Sequence, residues 1–334
     1  MKTLLLPLSA LMLTFSFCGS NDDPEPEVVK PPVVTPDPDP SDNEHIKRGY
    51  TLNSSMQGTA ALVGKDHKAI NTHMLPLGWN YTESPNISEN DHNTAPHSHT
   101  VYDAVLGQYV FQLTLHVEKV VDGDRGALVD RQRNEVKSQA DKRQWDKMNG
   151  NWDEWQVLEW KFKIPKSFQP SSSFTHIHQL KAFEGNNSLP LITITLRANS
   201  NGKNRRVQVI YTGDAGSSSK KTLVDNIALE QFEDEWVQVI QEAHFADKGF
   251  YRVKAVRLSD KKVLIDHTEE NISMWHSGAI SIRNKFGIYR SFGKPLSETD
   301  GVVTNGIKDE DIYLADFKVY EKNTNSAPEP HYLD

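Results

Sequence analysis

A tyrosine and two cations occur together in one short segment, Asn284–Arg290. The alternation of a β-strand would place Lys285, Gly287 and Tyr289 on one face. A glycine on that face would leave room for a ligand to approach the backbone. Cations beside a phenol favour its ionised form, so Tyr289 is a candidate for proton transfer. The same pattern also fits a lysine and a tyrosine that pair on a solvated surface.

A second polar segment, residues 131–137, carries a charged side chain at every other position. On a strand these side chains share one face, and four charged groups in a row cannot belong to an apolar core. They either face solvent or form the floor of a polar cleft. The four residues are Arg131, Arg133, Glu135 and Lys137.

A third segment, residues 174–181, contains two histidines and a polar pair. Alternation predicts Gln179 and Lys181 on one face and His176 and His178 on the other. Histidines two apart on a strand could chelate a metal, but no third ligand is evident from the sequence. Together the three segments would bring Arg, Glu, Gln, Lys and Tyr to one site. Such a set suits an acidic, hydroxyl-rich ligand, because arginine and lysine bind carboxylate or sulfate groups.

The elements that must position these residues are strands. Seven further segments alternate apolar and polar residues, with Gly, Asn, Asp, Ser or Pro between them. Many half-buried strands without crossover helices predict an all-β fold, a concanavalin A-like jelly-roll sandwich of two antiparallel sheets with a concave cleft. The segments are 109–117, 157–164, 191–197, 207–211, 236–240, 251–257 and 312–320, with hairpin connections at 199–203 and 259–262 and one short helix around Trp145.

The three polar segments resemble, in sequence and in order, the signature strands of jelly-roll polysaccharide lyases. Family 7 alginate lyases read Arg-Ser/Thr-Glu-Leu, Gln-Ile/Val-His and Lys-Ala-Gly-Val/Ile-Tyr at these strands, and heparin lyase I has a similar Lys-Phe-Gly-Ile-Tyr-Arg. The matching segments here are Arg133–Val136, Gln179–Lys181 and Lys285–Tyr289. The longer strings that begin at Asp130 and Pro170 look most like a bacterial group that includes the ulvan lyases of family 28.

This resemblance implies roles for single residues. Tyr289 would be the catalytic tyrosine, and Arg133 and Gln179 would contact a uronate carboxylate. Lys181 stands where alginate lyases have a histidine, so His178 is an alternative base if a bulge turns it towards the cleft. Further substrate contacts are expected from Glu135, Asn134, Arg131, Lys137, Lys285, Arg290 and Arg197.

The chemistry expected of this site is β-elimination. Removing the weakly acidic C5 proton of a uronic acid requires cations or donors on the carboxylate, which stabilise an enolate-like transition state. One tyrosine can take that proton and then protonate the departing O4. The expected enzyme is an endo-acting lyase that cleaves ulvan, with glucuronan or alginate as alternatives, and leaves 4,5-unsaturated uronate ends. The expected reaction requires no cofactor. A bound Ca²⁺ with a structural role is compatible with the sequence.

Two other classes of function remain open. A hydrolase needs two carboxylates that flank the scissile bond. Glu135 and Glu184 are available, but no paired-acid motif is present. A non-catalytic carbohydrate-binding sandwich would bind through exposed aromatic residues, for which Trp145, Trp152 and Trp155 are candidates.

The N-terminal sequence predicts export. A basic start and an apolar run precede the single cysteine, Cys18, which stands where a lipoprotein signal would be cut and acylated. Secretion after cleavage near this point is the alternative. The expected organisation is a signal peptide at 1–18, a Pro- and Asp-rich tether at 19–44, a lyase domain at 45–322 and a disordered tail at 323–334.

The net charge restricts the expected binding partners, and the cysteine content restricts the expected disulfides. A net charge of −8 argues against nucleic acid, although a local basic cleft can exist on an acidic protein. With one cysteine, the folded region needs no disulfide outside the cytoplasm. The expected partners are an anionic polysaccharide and, through the lipid anchor, the outer membrane. The chain is expected to act as a monomer.

Overall fold

The computed structural model of the protein describes residues 40–85, 97–117, 123–124, 128–138, 148–292 and 306–323. The predicted signal peptide with Cys18, the tether before residue 40, Trp145 and the C-terminal tail lie outside these residues. Within them, no helix is long and apolar enough to cross a membrane.

Strands dominate the described chain, and each of the seven strands predicted from alternation is present with its ends shifted by a few residues. The helices are α1 (Pro40–Lys47) and α2 (His67–Met74), with 3₁₀ turns at Ala60–Leu62, Leu75–Leu77, Gly216–Ser219 and Leu229–Gln231. The strands are β1 (Thr51–Met56), β2 (Trp79–Glu83), β3 (Ser98–Asp103), β4 (Gln108–Leu115), β5 (Gly123–Asp124), β6 (Leu128–Ser138), β7 (Glu154–Lys163), β8 (Thr175–Phe183), β9 (Ile192–Arg197), β10 (Arg206–Thr212), β11 (Lys220–Ala228), β12 (Val237–His244), β13 (Gly249–Arg257), β14 (Val263–Ile272), β15 (Ser281–Ser291) and β16 (Glu310–Asn323).

The strands form two antiparallel sheets, as predicted for a jelly-roll sandwich. The back sheet has the order β14-β13-β12-β7-β16-β4-β3, with β1 also paired to β16. The front sheet has the order β11-β10-β9-β8-β15-β6-β2, with β5 also paired to β6. Aromatic side chains from both sheets meet in the core between them: Trp160 of β7 lies 5.1 Å from Phe286 of β15, ring centroid to ring centroid. The three polar segments are thus neighbouring strands of the front sheet, β6, β15 and β8.

Helix α1 and the start of β1 cover part of the outer face of the back sheet. His45 is fully buried, and its Nε2 lies 2.5 Å from Glu159 Oε1 of β7. The Tyr50 hydroxyl donates a 2.6 Å hydrogen bond to Glu242 of β12. This cover explains why most of β7 is buried on both faces. Helix α1 also spans residue 44, where the sequence placed the end of the tether.

Irregular pairing in the front sheet sets the direction of its side chains. Between the pairs Tyr289–His176 and Phe286–His178, β15 advances three residues while β8 advances two. Over the same stretch of β8, the partner strand β9 advances only one. Such bulges interrupt strict alternation. As a result, His176 lies on the outer face of the sheet and His178 lies in the core, whereas alternation had placed both on one face.

Gly287 lies inside this irregular stretch, with a φ of 144°. A Cβ atom at this position would stand 2.1 Å from the backbone oxygen of Asn134 on β6. The sequence predicted that this glycine makes room for a ligand. Its structural role is instead to let the β6 backbone come close to β15, in a conformation that side chains disfavour.

Candidate active site

A cavity of about 330 Å³ opens on the outer face of the front sheet. It is bounded by β6, β15, β8, β9, β10 and the start of β11, together with the connections before and after β8 and after β10. Five residues predicted from the sequence line it: Arg131, Gln179, Lys181, Arg197 and Tyr289. The sequence did not predict the other polar lining residues, which include His176, Thr193, Thr212, Ser217 and Lys220.

The Tyr289 side chain is held between two guanidinium groups. Arg131 Nη1 donates a 3.2 Å hydrogen bond to the Tyr289 hydroxyl oxygen, while Arg131 Nη2 donates to Asp130 at 2.6 Å. The guanidinium carbon of Arg133 lies 4.0 Å from the centre of the Tyr289 ring. The hydrogen bonds to Asp130 and Tyr289 raise the pKa of Arg131, which therefore stays charged. The phenol oxygen thus has a fixed cationic donor beside the cavity.

A buried ionic group, here called the paired cluster, lies on the β2 side of Tyr289. Its centre is Glu83 of β2, which sequence reasoning missed. Glu83 accepts hydrogen bonds from Arg133 Nη1 at 2.6 Å, from Lys137 Nζ at 3.1 Å and from Lys285 Nζ. Burial alone would raise the pKa of Glu83, but Lys285, Arg133 and Lys137 together hold it well below its usual range. The fifth member of the cluster is Glu135.

Glu135 connects the paired cluster to the cavity. It is fully buried and accepts a 2.5 Å hydrogen bond from Gln179 Nε2. Burial raises the pKa of Glu135, although Lys285 and Arg133 act in the opposite direction. The geometry therefore does not support the predicted substrate contacts of Arg133, Glu135 and Lys285. None of the three lines the cavity; Arg133 packs on the Tyr289 ring, and Glu135 accepts the hydrogen bond from Gln179.

Lys181 extends from β8 into the cavity. Among the described residues it has neither an ion pair nor a hydrogen-bond partner. Burial, and then the charges of Lys285 and Arg133, lower the pKa of Lys181 to about 8. A lysine destabilised in this way gains from an anion placed beside it, because the anion offsets both its burial and the like charges. Lys181 is thus arranged to receive a carboxylate.

His176 is the second residue of the site that the sequence analysis did not select for it. Its ring centre lies 6.0 Å from that of Tyr289, and its ring stacks on Phe174 at 4.7 Å. Burial, followed by the charges of Arg197 and Lys181, lowers the pKa of His176 to about 3. The imidazole is therefore neutral near pH 7. The signal that could have found it is the bulge, which alternation in one strand does not reveal.

His178, predicted as an alternative base, lies in the core. It has no exposed surface, stacks on Trp160 of the back sheet at 5.5 Å and contacts Phe286 at 4.7 Å. Its Nδ1 lies 3.4 Å from Gln241 Nε2 of β12. The bulge that was invoked to turn His178 towards the cleft turns His176 there instead. His178 cannot reach a substrate in the cavity.

Asn134 and Arg290, both predicted to contact substrate, also point away from the cavity. Both are fully buried. Asn134 Nδ2 donates to the backbone oxygens of His97 and Thr114, at 2.7 and 2.8 Å. Arg290 donates to Gln132 Oε1 at 2.9 Å and to a backbone oxygen at 2.7 Å. Their role is to join the front sheet to its neighbours.

The features that favoured other functions do not converge on this cavity. In the part of the chain that the structure describes, no three His, Cys, Asp or Glu side chains come together to hold a metal. Trp155 stacks on His244 at 4.8 Å, and Trp152, which is 53% exposed, lies 5.4 Å from Trp275. Neither Trp152, Trp155 nor Glu184 lines the cavity. The paired carboxylates of a hydrolase are likewise not found there.

Comparison with known proteins places the fold. No family model matches the sequence. No curated protein matches it either. Among solved structures, an endo-β-1,4-glucuronan lyase from the fungus Trichoderma reesei is similar, with a TM-score of 0.50 and 14% identity over 80% of this chain and 95% of that one. An alginate lyase from Pseudomonas aeruginosa has a TM-score of 0.41 and 14% identity over 70% of this chain and 88% of that one. The first similarity shows a shared jelly-roll fold.

Proposed function

We propose that this protein is a polysaccharide lyase that cleaves a uronic-acid-containing polymer by β-elimination. The observation that carries the proposal is the Tyr289 hydroxyl, held by Arg131 at 3.2 Å beside a cavity that also contains Lys181 and Gln179. This arrangement supplies a proton-transfer group and an anion-binding group side by side. The similarity in fold to a glucuronan lyase agrees with it.

The carboxylate of the uronate binds to Lys181 and to the amide of Gln179. Lys181 has no ion pair among the described residues, and Gln179 is fixed by its 2.5 Å hydrogen bond to Glu135. A cation and a fixed donor on the carboxylate stabilise the negative charge that develops when the C5 proton leaves. Because Gln179 is positioned before substrate binds, this donor needs little reorganisation during the reaction.

Tyr289 then carries the proton. Its ionised oxygen takes the proton from C5, the C4–C5 double bond forms, and the C4–O4 bond breaks. The tyrosine hydroxyl returns the proton to O4, so the side chain ends as it began. Arg131 stabilises the oxygen while it is anionic, and Arg133 keeps the ring in place from its other side. Each step uses only residues of this chain.

Ulvan is the proposed polymer, and glucuronan is the second candidate. Ulvan is supported by the resemblance of the segments that begin at Asp130 and Pro170, and glucuronan by the activity of the fungal enzyme with a similar fold. We also propose endo action, because the cavity lies on an open sheet face along which a long chain could extend. Endo action predicts a fall in polymer viscosity early in the reaction.

The decisive experiment mixes the protein with ulvan, glucuronan or alginate and follows ultraviolet absorbance. A lyase creates a double bond conjugated to the carboxylate, which absorbs, whereas a hydrolase or a carbohydrate-binding protein creates none. The Tyr289→Phe variant is the control, because it keeps the ring and removes the hydroxyl. New reducing ends without absorbance would identify a hydrolase, and binding without either product would identify a carbohydrate-binding sandwich.

We propose that the protein is exported, anchored through Cys18 and active as a monomer. The support is the apolar run before Cys18 and the Pro-rich segment after it. A Cys18→Ser substitution should move the protein from the membrane fraction to the soluble fraction. Light scattering of the folded region should give the mass of one chain.

A further inference from the structure

Two cations at the far side of the cavity have no role in the elimination just described. Arg197, at the end of β9, and Lys220, at the start of β11, both line the cavity. On the other side, Arg133, Lys137 and Lys285 all donate to one carboxylate, Glu83, in the paired cluster. The far side of the cavity therefore carries positive charge that the protein itself leaves largely unmatched.

Arg197 has unused hydrogen-bonding capacity. Its Nε is buried and has no hydrogen-bond partner among the described residues. Its neighbouring carboxylate, Asp225, accepts a 2.6 Å hydrogen bond from Gln208 instead. Burial and the charge of Arg206 lower the pKa of Arg197, and the charge of Asp225 offsets only part of this shift. The Arg197 side chain lines the cavity without a hydrogen bond to a described residue, so an anion bound in the cavity would supply an acceptor to its guanidinium.

Two other arginines near the cavity, Arg131 and Arg206, already have hydrogen-bond partners. Arg131 is bound to Asp130 and to the Tyr289 hydroxyl. Arg206 donates to Asn199 Oδ1 and to the backbone oxygen of Asn204, both at 3.1 Å. Of this set of arginines, the one directed into the cavity with capacity to spare is Arg197.

The position of this pair relative to Tyr289 fits a neighbouring sugar. The strand order β15-β8-β9 puts Arg197 two strands away from Tyr289, a backbone separation of about 10 Å. Hydroxyl groups of Thr193, Thr212 and Ser217 line the same part of the cavity and can donate to anionic oxygens.

We infer that Arg197 and Lys220 form a second anion subsite, which binds a sulfate ester or a second carboxylate on a sugar next to the reacting uronate. The inference builds on the proposed lyase function, because it assigns the reacting uronate to Lys181 and Gln179. Guanidinium and ammonium groups bind both kinds of oxyanion by charge-assisted hydrogen bonds. The subsite would make the enzyme select polymers with closely spaced negative charges.

The test uses Arg197→Gln and Lys220→Met, with Lys221→Met as the matched control. Lys221 is the next residue along β11, but it pairs with Glu269 at 2.7 Å and does not line the cavity. Each cavity variant should raise KM on the preferred polymer about tenfold, the loss expected for one charge-assisted hydrogen bond. Lys221→Met should keep the KM of the unmodified protein, and kcat should change little in all three. An unchanged KM in both cavity variants would overturn the subsite.

Comparison of polymers identifies the anion. If the subsite binds sulfate, the effect of Arg197→Gln on KM will be large on ulvan and will vanish on chemically desulfated ulvan. If it binds a carboxylate, the effect will be as large on glucuronan, which carries no sulfate. Either result supports the subsite, whereas a loss on an uncharged glucan as large as that on the charged polymers would overturn it.

A binding measurement separates this inference from the proposed reaction. Calorimetry with ulvan oligosaccharides, performed on Tyr289→Phe with and without Arg197→Gln, requires no turnover. Weaker binding upon Arg197→Gln supports the subsite even if the protein proves not to be a lyase. Equal binding rejects the subsite even if elimination is confirmed. Thermal unfolding followed by circular dichroism checks that the substituted proteins remain folded.

Discussion

The two sides of Tyr289 use cations differently. On the β2 side, Arg133, Lys137 and Lys285 all donate to Glu83, and Arg133 and Lys285 are buried. On the β9 side, Lys181 and Lys220 line the cavity without an ion pair among the described residues, and Arg197 is only partly compensated. Cations that are paired with a buried carboxylate keep the site in its arrangement, because breaking a buried ion pair costs stability. Unmatched charges are available to a ligand, so the contrast separates the residues that position the site from those that bind.

The largest effect is expected at the boundary between the two sides. Tyr289→Phe should lower kcat about 10³-fold, because it removes the proton-transfer group and leaves the ring that packs on Arg133. The measurement is the initial rate of absorbance increase on the preferred polymer. KM should change little, since Lys181 and Gln179 still bind the carboxylate. A variant that retains near-normal elimination with an intact fold would remove Tyr289 from the mechanism.

On the matched side, Glu83→Gln should mainly destabilise the fold. The substitution leaves Lys285 and Arg133 buried without their shared carboxylate, which costs about 3 kcal/mol in the free energy of unfolding. Chemical denaturation measures this loss. The control is Glu44→Gln, which removes an exposed ion pair with Lys47 and should cost less than about 0.5 kcal/mol. Equal stability of the two variants would contradict the role assigned to the paired cluster.

On the unmatched side, Lys181→Gln should lower kcat/KM about 10- to 100-fold and leave stability nearly unchanged. The pH profile sharpens this prediction. Burial and its cationic neighbours lower the pKa of Lys181 to about 8, so the cation is present below pH 8 and is lost as pH rises through that value. kcat/KM of the unsubstituted enzyme should therefore fall above pH 8.

Lys181→Arg is the matched control for charge. The guanidinium stays protonated well above pH 8, so the alkaline fall in kcat/KM should move to higher pH. If activity rose through pH 8 in the unsubstituted enzyme, and Lys181→Arg abolished that rise, the neutral amine of Lys181 would be the active form. Lys181 would then act as a base, not as the partner of the carboxylate.

The effect that is smallest at neutral pH, and appears only in acid, concerns the histidine that faces the core. Burial lowers the pKa of His178 to about 3, from 6.5 in the unfolded chain. Between these values the unfolded chain binds a proton that the folded protein does not, so stability is full above pH 6.5 and falls as pH drops towards 3. His178→Phe should flatten this fall by up to about 1.4 kcal/mol per pH unit. Denaturation at several pH values measures the slope, and His67→Phe on α2 is the control.

Local pattern predicted much of this architecture. The seven alternating segments are strands, and the three polar segments lie side by side as β6, β15 and β8. Five predicted site residues line one cavity. These features could be predicted because a strand that is buried on one face must alternate, and alternation is a property of neighbouring residues alone.

Four site features escaped prediction because they depend on pairing between strands. Glu83 comes from β2, which is distant in sequence from its three cationic partners. His176 and His178 exchange expected roles because β8 and β15 pair through a bulge. Gly287 allows the backbone of β6 to pack closely against β15, and the sequence of a single strand does not indicate such a contact.

The sequence by itself determined the strands, their polar faces and the residue types that elimination chemistry needs. The tertiary structure decided which of those polar residues meet a substrate. Arg133, Lys285 and Glu135 are buried in mutual contacts, whereas Lys181 and Arg197 reach the cavity. The physical reason is that a cationic side chain beside a carboxylate is held in an ion pair, whereas one without a carboxylate beside it can bind a ligand. The carboxylates that decide this come from other strands. Register and bulges, which are set only when the strands pair, make that choice.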